Sequence, residues 1–395
     1  MITVSDEFKK AIRANVVSIQ VEAVFNYGTP VSLTNKDIVG MNVTQRGEIA
    51  LGGVQEDAII IEVSAASLID HYLEDTTVEV KIGCLVNGTP EYASVGVFKT
   101  SRWKKSSYTI QVELGTNIDL EKEILGVLAR QNVSLKDYIT QGVTEILGIT
   151  LVLGEIVDTS IPVAYLYYKT VREQLKAFGM SSNGLFRYSN KGLEIVPYKL
   201  SPPVDTLTEG VTGLILEALE NENDYVSTKK NVAVKTSTFL RQEDSVLYSF
   251  SGSVKDPLDY QFSFSSASII TYIQHKGCDF TLREYGLFGG RITLESEIIG
   301  VTSQAQLSIV GTRIGTHTLD SVSGDITTPY IQTAEHVELL SKDVLNGEKF
   351  SFKSRIDPSL QVGDTVTTPK GDMMITSMSY KFDGGLTGTI EGVIA

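Results

Sequence analysis

The chain has 395 residues, 42% hydrophobic and 21% charged, a formal net charge of −14 and a sequence pI near 4.9. That balance fits a soluble protein of about two to four domains with real cores. So acidic a surface repels nucleic-acid backbones and anionic membranes, and no apolar run is long enough to span a bilayer as a helix.

The N-terminal MITVSDEFKKAIRANV is amphipathic and carries acids, without the apolar centre of a signal peptide, so the expectation is a chain made in the cytoplasm and not exported by a cleavable signal. Residues 17–25 alternate, with Val17, Ile19, Val21, Ala23 and Phe25 on one face, and Asn26-Tyr27-Gly28-Thr29 turns that strand. Strands are predicted at Ala58–Val63, Thr77–Val86, Val95–Thr100 and Tyr108–Leu114, the last with Tyr108, Ile110, Val112 and Leu114 on one side. Only Ala65–Leu73 between them reads as helical. Cys84 shares the apolar face of Val78, Val80 and Ile82 and reads as a small buried hydrophobe; a disulfide to the distant Cys278 is not expected.

The character then changes. Leu120–Arg130 and Ser134–Leu147 have helical period, the second with Ser134 as N-cap, Asp137 at its third position and Gly148 as stop. Thr170 and Glu173 form a capping box for a third helix, with Val171, Leu175 and Phe178 apolar and Gly179 as its end. A hairpin follows, Leu185–Tyr188 and Leu193–Tyr198 about Ser189-Asn190-Lys191-Gly192, and Ser201-Pro202-Pro203 is the best linker. Gly213–Glu220 fits a short helix or a strand, and Asn231–Thr236 is a strand with Val232 and Val234 alternating. From Thr238 to about Asp325 the pattern is β, at Val246–Phe250, Tyr260–Phe264, Ser268–Ile273, Phe280–Glu284, Gly290–Glu295 and Ala305–Val310, with turns at Asp256-Pro257 and Gly289-Gly290. Ile331–Asn346 is helical, aligning Ala334, Val337, Leu340 and Val344. Turns at Asp357-Pro358 and Val362-Gly363-Asp364, a strand Met373–Phe382, an Asp383-Gly384-Gly385 hairpin turn and a strand Leu386–Val393 close the chain as a meander.

Catalytic signatures are missing. His71, His275, His317 and His336 are scattered without metal-ligand spacing and read as surface or partly buried polar residues. There is no G-x-S-x-G elbow and no P-loop; Gly52–Asp57 lacks the Lys-Ser/Thr of a phosphate loop and reads as a turn. Glu113, Asp119, Glu121 and Glu123 are candidates in principle for a glycosidase acid pair, though solvated carboxylates read the same way. Asp364 and Asp372 are turn formers, with no D-x-D-x-D calcium loop around them. Tyr248, Phe250, Tyr260, Phe262, Phe264, Tyr272, Tyr285 and Phe288 suit a β core or a sugar-stacking face. The single tryptophan, Trp103, fits a candidate subunit contact or a core anchor.

Three stretches carry a resemblance. The meander from Arg355 to Val393 resembles the end of the baseplate or tail hub proteins of long-tailed bacteriophages, of which the T-even hub is one. The helix leading into the hairpin of SSNGLFRYSNKGLEIVPYK is similar to their second domain, and the 331–346 helix to the one before their D-P turn. The resemblance implies a mainly β fold with an α+β second domain, a multidomain hub with two tail-tube-like β-barrel domains. Tube-like domain I would be 1–115, the α+β domain II 116–200, a discontinuous tube-like domain III 201–236 and 326–395, and an inserted β domain IV 237–325. It implies a homotrimeric structural protein of the virion, assembled in the host cytoplasm, that adapts a hexameric tail tube to a tail tip or spike and opens for the genome. The implied partners are a tail tube or distal tail protein, a tape measure protein and a spike or fibre protein. No catalytic residue, cofactor or metal, no nucleic-acid binding and no membrane anchor is expected. The alternatives are a carbohydrate-binding adhesin using 238–325 and a cell-wall-degrading tail enzyme on a β scaffold.

Overall fold

The structure is a computed structural model that describes residues 2–14, 17–46, 52–67, 73, 76–189, 192–209, 214–216, 220–221, 234–298, 301–318, 326–343 and 347–394. Helix α1 (Asp6–Ile12) opens the chain, with the Ser5 hydroxyl accepting from Phe8 N and Asp6 and Glu7 in the positive first turn. It buries Phe8 and Ile12 in a core shared with strands β1 (Ile19–Asn26), β2 (Val31–Thr34), β3 (Ile38–Arg46), β4 (Glu56–Ser64), β5 (Thr77–Val86), β6 (Thr89–Lys105) and β7 (Thr109–Thr116). Period-two burial builds this sheet. Ile19, Val21, Ala23 and Phe25 of β1 and Val78, Val80, Ile82 and Cys84 of β5 all turn inward. Strands β2 and β3 escaped the sequence reading, and in β3 a register shift between Ile38 and Gly40 breaks the alternation that would have signalled it. Tyr108, expected on the buried side, is 85% exposed because β7 begins one residue later and Tyr108 belongs to the turn before it.

The middle of the chain comprises β8 (Ala129–Ser134), α2 (Leu135–Gln141), a π-helical turn Gly142–Ile146, β9 (Leu151–Leu153), β10 (Ser160–Tyr165), α3 (Val171–Ser182), β11 (Gly184–Ser189) and β12 (Gly192–Pro197). The helix expected over Leu120–Arg130 does not form. Its backbone bonds outward instead: Ile124 N donates to Lys169 O, Val171 N to Lys122 O and Arg172 N to Leu120 O. Leu120, Ile124 and Leu128 are buried all the same, since a spacing of four is even and suits an extended chain as well as a helix. Both expected N-caps are present, Ser134 on Asp137 N and the full Thr170–Glu173 box. The third helix does not stop at Gly179 but runs to Ser182, ending on Asn183 at φ +50. Gly179 is there for contact. A Cβ on it would come within 2.7 Å of the Gly52 Cα, and Gly52–Asp57, read as a turn, lies extended beside β11, with Gln55 N donating to Phe186 O at 2.7 Å.

Short strands β13 (Asp205–Thr206), β14 (Glu220–Asn221) and β15 (Val234–Lys235) lead to an insertion of β16 (Ser237–Val254), β17 (Leu258–Ser263), β18 (Ser268–Lys276), β19 (Asp279–Gly286), β20 (Gly289–Glu295) and β21 (Ser303–Thr318). All six predicted strands are present, mostly longer than expected, and Gly289 and Gly290 begin β20 rather than make the turn. Sheets β16-β21-β18 and β17-β20-β19 enclose one core. Phe262 and Phe264 are buried in it, Tyr248, Phe250, Tyr260 and Tyr285 pack against it, Phe288 packs on the neighbouring helical core and Tyr272 is 47% exposed. The chain closes with β22 (Ile326–Thr327), α4 (Ala334–Asp343), β23 (Glu348–Arg355), β24 (Thr365–Thr368), β25 (Gly371–Phe382) and β26 (Leu386–Ile394). Helix α4 starts three residues after the predicted Ile331, because Ile331 is buried and its carbonyl accepts from Ser237 N. The expectations at 68–72 (with His71), 190–191, 213, 217–219, 231–233 and 344–346 lie outside the described residues.

Two ends of the chain share one 13-stranded sheet, ordered β14-β23-β26-β25-β3-β4-β7-β6-β5-β1-β2, with β24 and β13 joined beside β25. The seam is β3 against β25, antiparallel from Ser377↔Arg46 to Phe382↔Met41. A second nexus is Tyr330, fully buried among Tyr138, Phe178 and Phe239 at centroid distances of 5.9, 5.3 and 6.0 Å. Its hydroxyl donates to Tyr165 O and accepts from Gln174 Nε2, both at 2.7 Å. Tyr330→Phe keeps the ring packing but strands those partners in a dry core. We expect a loss of about 1–3 kcal/mol, read as a lower urea midpoint at an unchanged denaturant slope.

Candidate functional site

What the fold concentrates is charged joints between its parts, together with one exposed arm. The strongest joint is Arg187 on β11. Its Nη1 donates to Val362 O at 3.0 Å and to Asp364 Oδ1 at 2.9 Å, while Nε donates to Glu194 Oε2 at 2.8 Å. Asp364 holds its own turn as expected, Oδ2 accepting from Gln361 N at 3.0 Å, and presents its other oxygen to Arg187. Burial works against the Arg187 charge, but Asp364 and Glu194 outweigh it and leave the guanidinium above its ordinary pKa. Side-chain exposures of 8% and 5% put Arg187 and Asp364 out of reach of solvent screening.

A second cation, Arg172 on α3, bridges Glu56 at the start of β4 and Glu121, the latter at 2.5 Å from Nε. Arg13 after α1 pairs with Asp205 of β13. The candidate acid pair does not assemble. Glu121 is held by Arg172, Glu123 by Lys169 at 3.2 Å, Asp119 accepts from Glu121 N at 3.1 Å, and Glu113 stands on β7 opposite Arg102. A concavity of about 490 Å³ between Val97, the 117–122 segment and the β11-β12 hairpin contains Asp119 as the one carboxylate among its described lining residues. Among the described residues no three His, Cys, Asp or Glu side chains group as metal ligands. His336, expected at or near the surface, is buried, with Nε2 donating to Ser181 O at 2.6 Å, while His275 and His317 are exposed.

Asp57 was not singled out by its sequence context, yet it is the most perturbed carboxyl with a value on the ordinary scale. It sits 5% exposed where β4 leaves β11, with Oδ1 accepting from Gln55 Nε2 at 2.6 Å and Oδ2 without a partner. Desolvation pushes it up to about 7 against the one hydrogen bond that favours the anion. Tyr380 of β25 and Tyr188 of β11 feel its charge, so it lies where the seam and the hairpin come together.

The arm is the far end of β6. Trp103 is 47% exposed there and is in none of the hydrophobic clusters of the described residues, and neighbouring Arg102, Lys104, Lys105 and Tyr108 are exposed too.

No protein-family profile matches the chain, and no curated protein sequence matches it. Among solved structures, the tail protein from Neisseria meningitidis MC58 superposes at a TM-score of 0.51 with 9% identity, covering 95% of this chain and 97% of that one. The chain has a tail-protein fold. Such coverage takes in both ends of the large sheet, the helices and the inserted β module together. The 43 kDa tail protein of prophage MuSo2 from Shewanella oneidensis is similar at 13% identity and a TM-score of 0.48, over 96% of this chain and 97% of its own. So is an E. coli component of the type VI secretion system, described as similar to the T4 tail proteins gp27 and gp5, at 9% identity and 0.45 over 94% and 76%. The mainly β architecture expected from the sequence is therefore the observed one, with α2 and α3 in the middle of the chain.

Two measurements test the joints. Arg187→Met leaves Asp364 buried without its cation and is expected to cost about 3–5 kcal/mol in urea denaturation. For Asp57 the native pKa lies above the unfolded value of 3.8, so the folded state holds a proton that the unfolded state releases. Stability therefore falls as pH rises from about 4 to about 7, by roughly 4 kcal/mol at most. Asp57→Asn is expected to flatten that slope and to raise the melting temperature at pH 8 relative to wild type.

Proposed function

We propose that the chain is a structural component of a phage-type tail or baseplate, a homotrimeric hub that adapts a sixfold tube to a threefold tip. The observation that carries the reading is the β3–β25 seam, where an N-terminal and a C-terminal β module of one chain meet edge to edge. Three subunits then present six such modules, and a closed ring leaves no exposed edges to aggregate. In this reading 1–115 and the discontinuous 201–236 with 326–395 are the tube-like modules, 116–200 the α+β domain and 237–325 an inserted domain. The tail-protein fold supports the assignment to a tail. A tail tube or distal tail protein on one side, a spike or fibre on the other and a tape measure protein within are the partners it calls for, in the virion after assembly in the host cytoplasm. The reading assigns the chain no reaction.

Sedimentation equilibrium is the test. The expected species has three times the 43.1 kDa chain mass, alone at high concentration or with a purified tail tube protein. A dimer, or a monomer under both conditions, sinks the proposal.

A further inference from the structure

The sheet β16-β21-β18 of the insertion has two faces of opposite character. Inward, Tyr248, Phe250, Ile273, Leu307 and Ile309 pack on the insertion's core. Outward, the alternate residues line up across the three strands. One row is Ser251, Gln306 and Lys276, and the next is Ser249, Ser308 and Gln274. All are exposed except the half-buried Ser308.

These rows are chemically unlike the rest of the molecule. In a chain with 48 acidic residues they contain no carboxylate and a single charge, Lys276. Among the described residues no internal hydrogen bond engages the hydroxyls of Ser249, Ser251 and Ser308 or the amides of Gln274 and Gln306. One row further on, by contrast, Gln304 Nε2 donates to Ser253 Oγ at 2.8 Å. Each open hydroxyl and amide can both donate and accept. On the other side an apolar row adjoins them, Val246 at 55% and Tyr272 at 47% exposure flanking Val310. None of these three belongs to a hydrophobic cluster of the described residues. The acid beyond that row, Asp244, already accepts from the Thr312 hydroxyl.

Charge selects the occupant. A nucleic acid or an anionic membrane calls for clustered cations, and this face offers one. An uncharged ligand rich in hydroxyls meets it without desolvating an ion, exchanging the water on each hydroxyl and amide for an equivalent bond. The ring of Tyr272 gives the C–H face of a sugar an apolar surface to stack on. We propose that the outer face of β16-β21-β18 binds a neutral oligosaccharide, Tyr272 stacking on one sugar ring while Gln274, Gln306 and the serine hydroxyls beside them bond its neighbours. Two residue steps along β18, from Tyr272 to Lys276, span about 13 Å, so the chain of sugars lies along the strands over all three rows. The face belongs to one subunit and does not depend on the trimeric reading.

The test is a printed array of neutral gluco-, galacto-, manno- and N-acetylglucosamine oligosaccharides, with sialylated and sulfated glycans as anionic controls, probed with the labelled full chain. Wild type should bind members of the neutral set. Tyr272→Ala and the double variant Gln274→Ala/Gln306→Ala, both at exposed positions, should keep the far-ultraviolet circular dichroism and melting temperature and bind at least about tenfold more weakly. Tyr272→Phe, which keeps the ring, should bind as wild type does. Silence across the neutral set, binding confined to the anionic controls, or binding that both alanine variants retain overturns the proposal. Weakened self-association of Tyr272→Ala in sedimentation, without glycan binding by wild type, makes the face a subunit contact and overturns it too, leaving the trimeric reading intact. A monomeric chain that binds the neutral set through Tyr272 upholds the proposal and removes the trimer alone.

Discussion

Everything in this molecule hangs on the pairing of β3 with β25. A sheet edge is a row of unmet donors and acceptors, and a protein built from two β modules would own four of them. Pairing the N-terminal β3 with the C-terminal β25 removes two edges and puts both ends of the chain on one hydrophobic interior. Met41 and Val43 from one end of the chain share a continuous cluster with Met378, Tyr380 and Phe382 from the other. The seam lies between residues more than 330 positions apart in sequence, so it is among the contacts whose loop entropy is costliest to close. That cost is met by burial on both sides of the seam, not by the hydrogen bonds alone.

Around the seam the helical middle is fastened by discrete ties. Arg187 clamps the β11-β12 hairpin to the Val362-Gly363-Asp364 turn, Arg172 links α3 to β4, and Tyr330 joins α2, α3 and the foot of the insertion. Gly363 at φ +85 belongs to the same clamp, since a Cβ there would meet Val196 Cγ2 at 2.8 Å. These ties are polar and geometrically exacting, which suits parts that must keep one relative placement. Asp57 is the exception. It is a carboxyl left half-satisfied between seam and hairpin, and it makes their union looser as its proton is lost.

The sequence was most readable where local chemistry and tertiary structure agree. Alternation in β1, β5 and β26, the Thr170–Glu173 box and the Gly-rich turns each carry their own physical signature within a few residues. It misled where one pattern serves two structures, as with Leu120, Ile124 and Leu128, whose spacing satisfies both periods. It was silent on ties. Nothing near Arg187 announces Asp364, 177 residues away, and a burial-shifted Asp57 looks like any other acid between Glu56 and Ala58. Trp103 was legible as a residue of interest but not as an exposed one, because exposure there follows from β6 outrunning β5, a matter of relative strand length.

The β16-β21 ribbon has a mechanical consequence. Its 18-residue strand spans about 60 Å at ordinary strand rise, and it is paired from Ser237↔Thr318 to Val254↔Ser303. One end buries Val254, Leu307 and Ile309 in the insertion, and the other plants Phe239 and Ile314 in the helical core beside Tyr330. The bulges at Arg241–Asp244, close to the root, and at Val246–Tyr248 locally interrupt the ladder and add twist, while the strands are paired on both sides of each. A load applied to the outer module is thus delivered as torque to the aromatic socket at its foot.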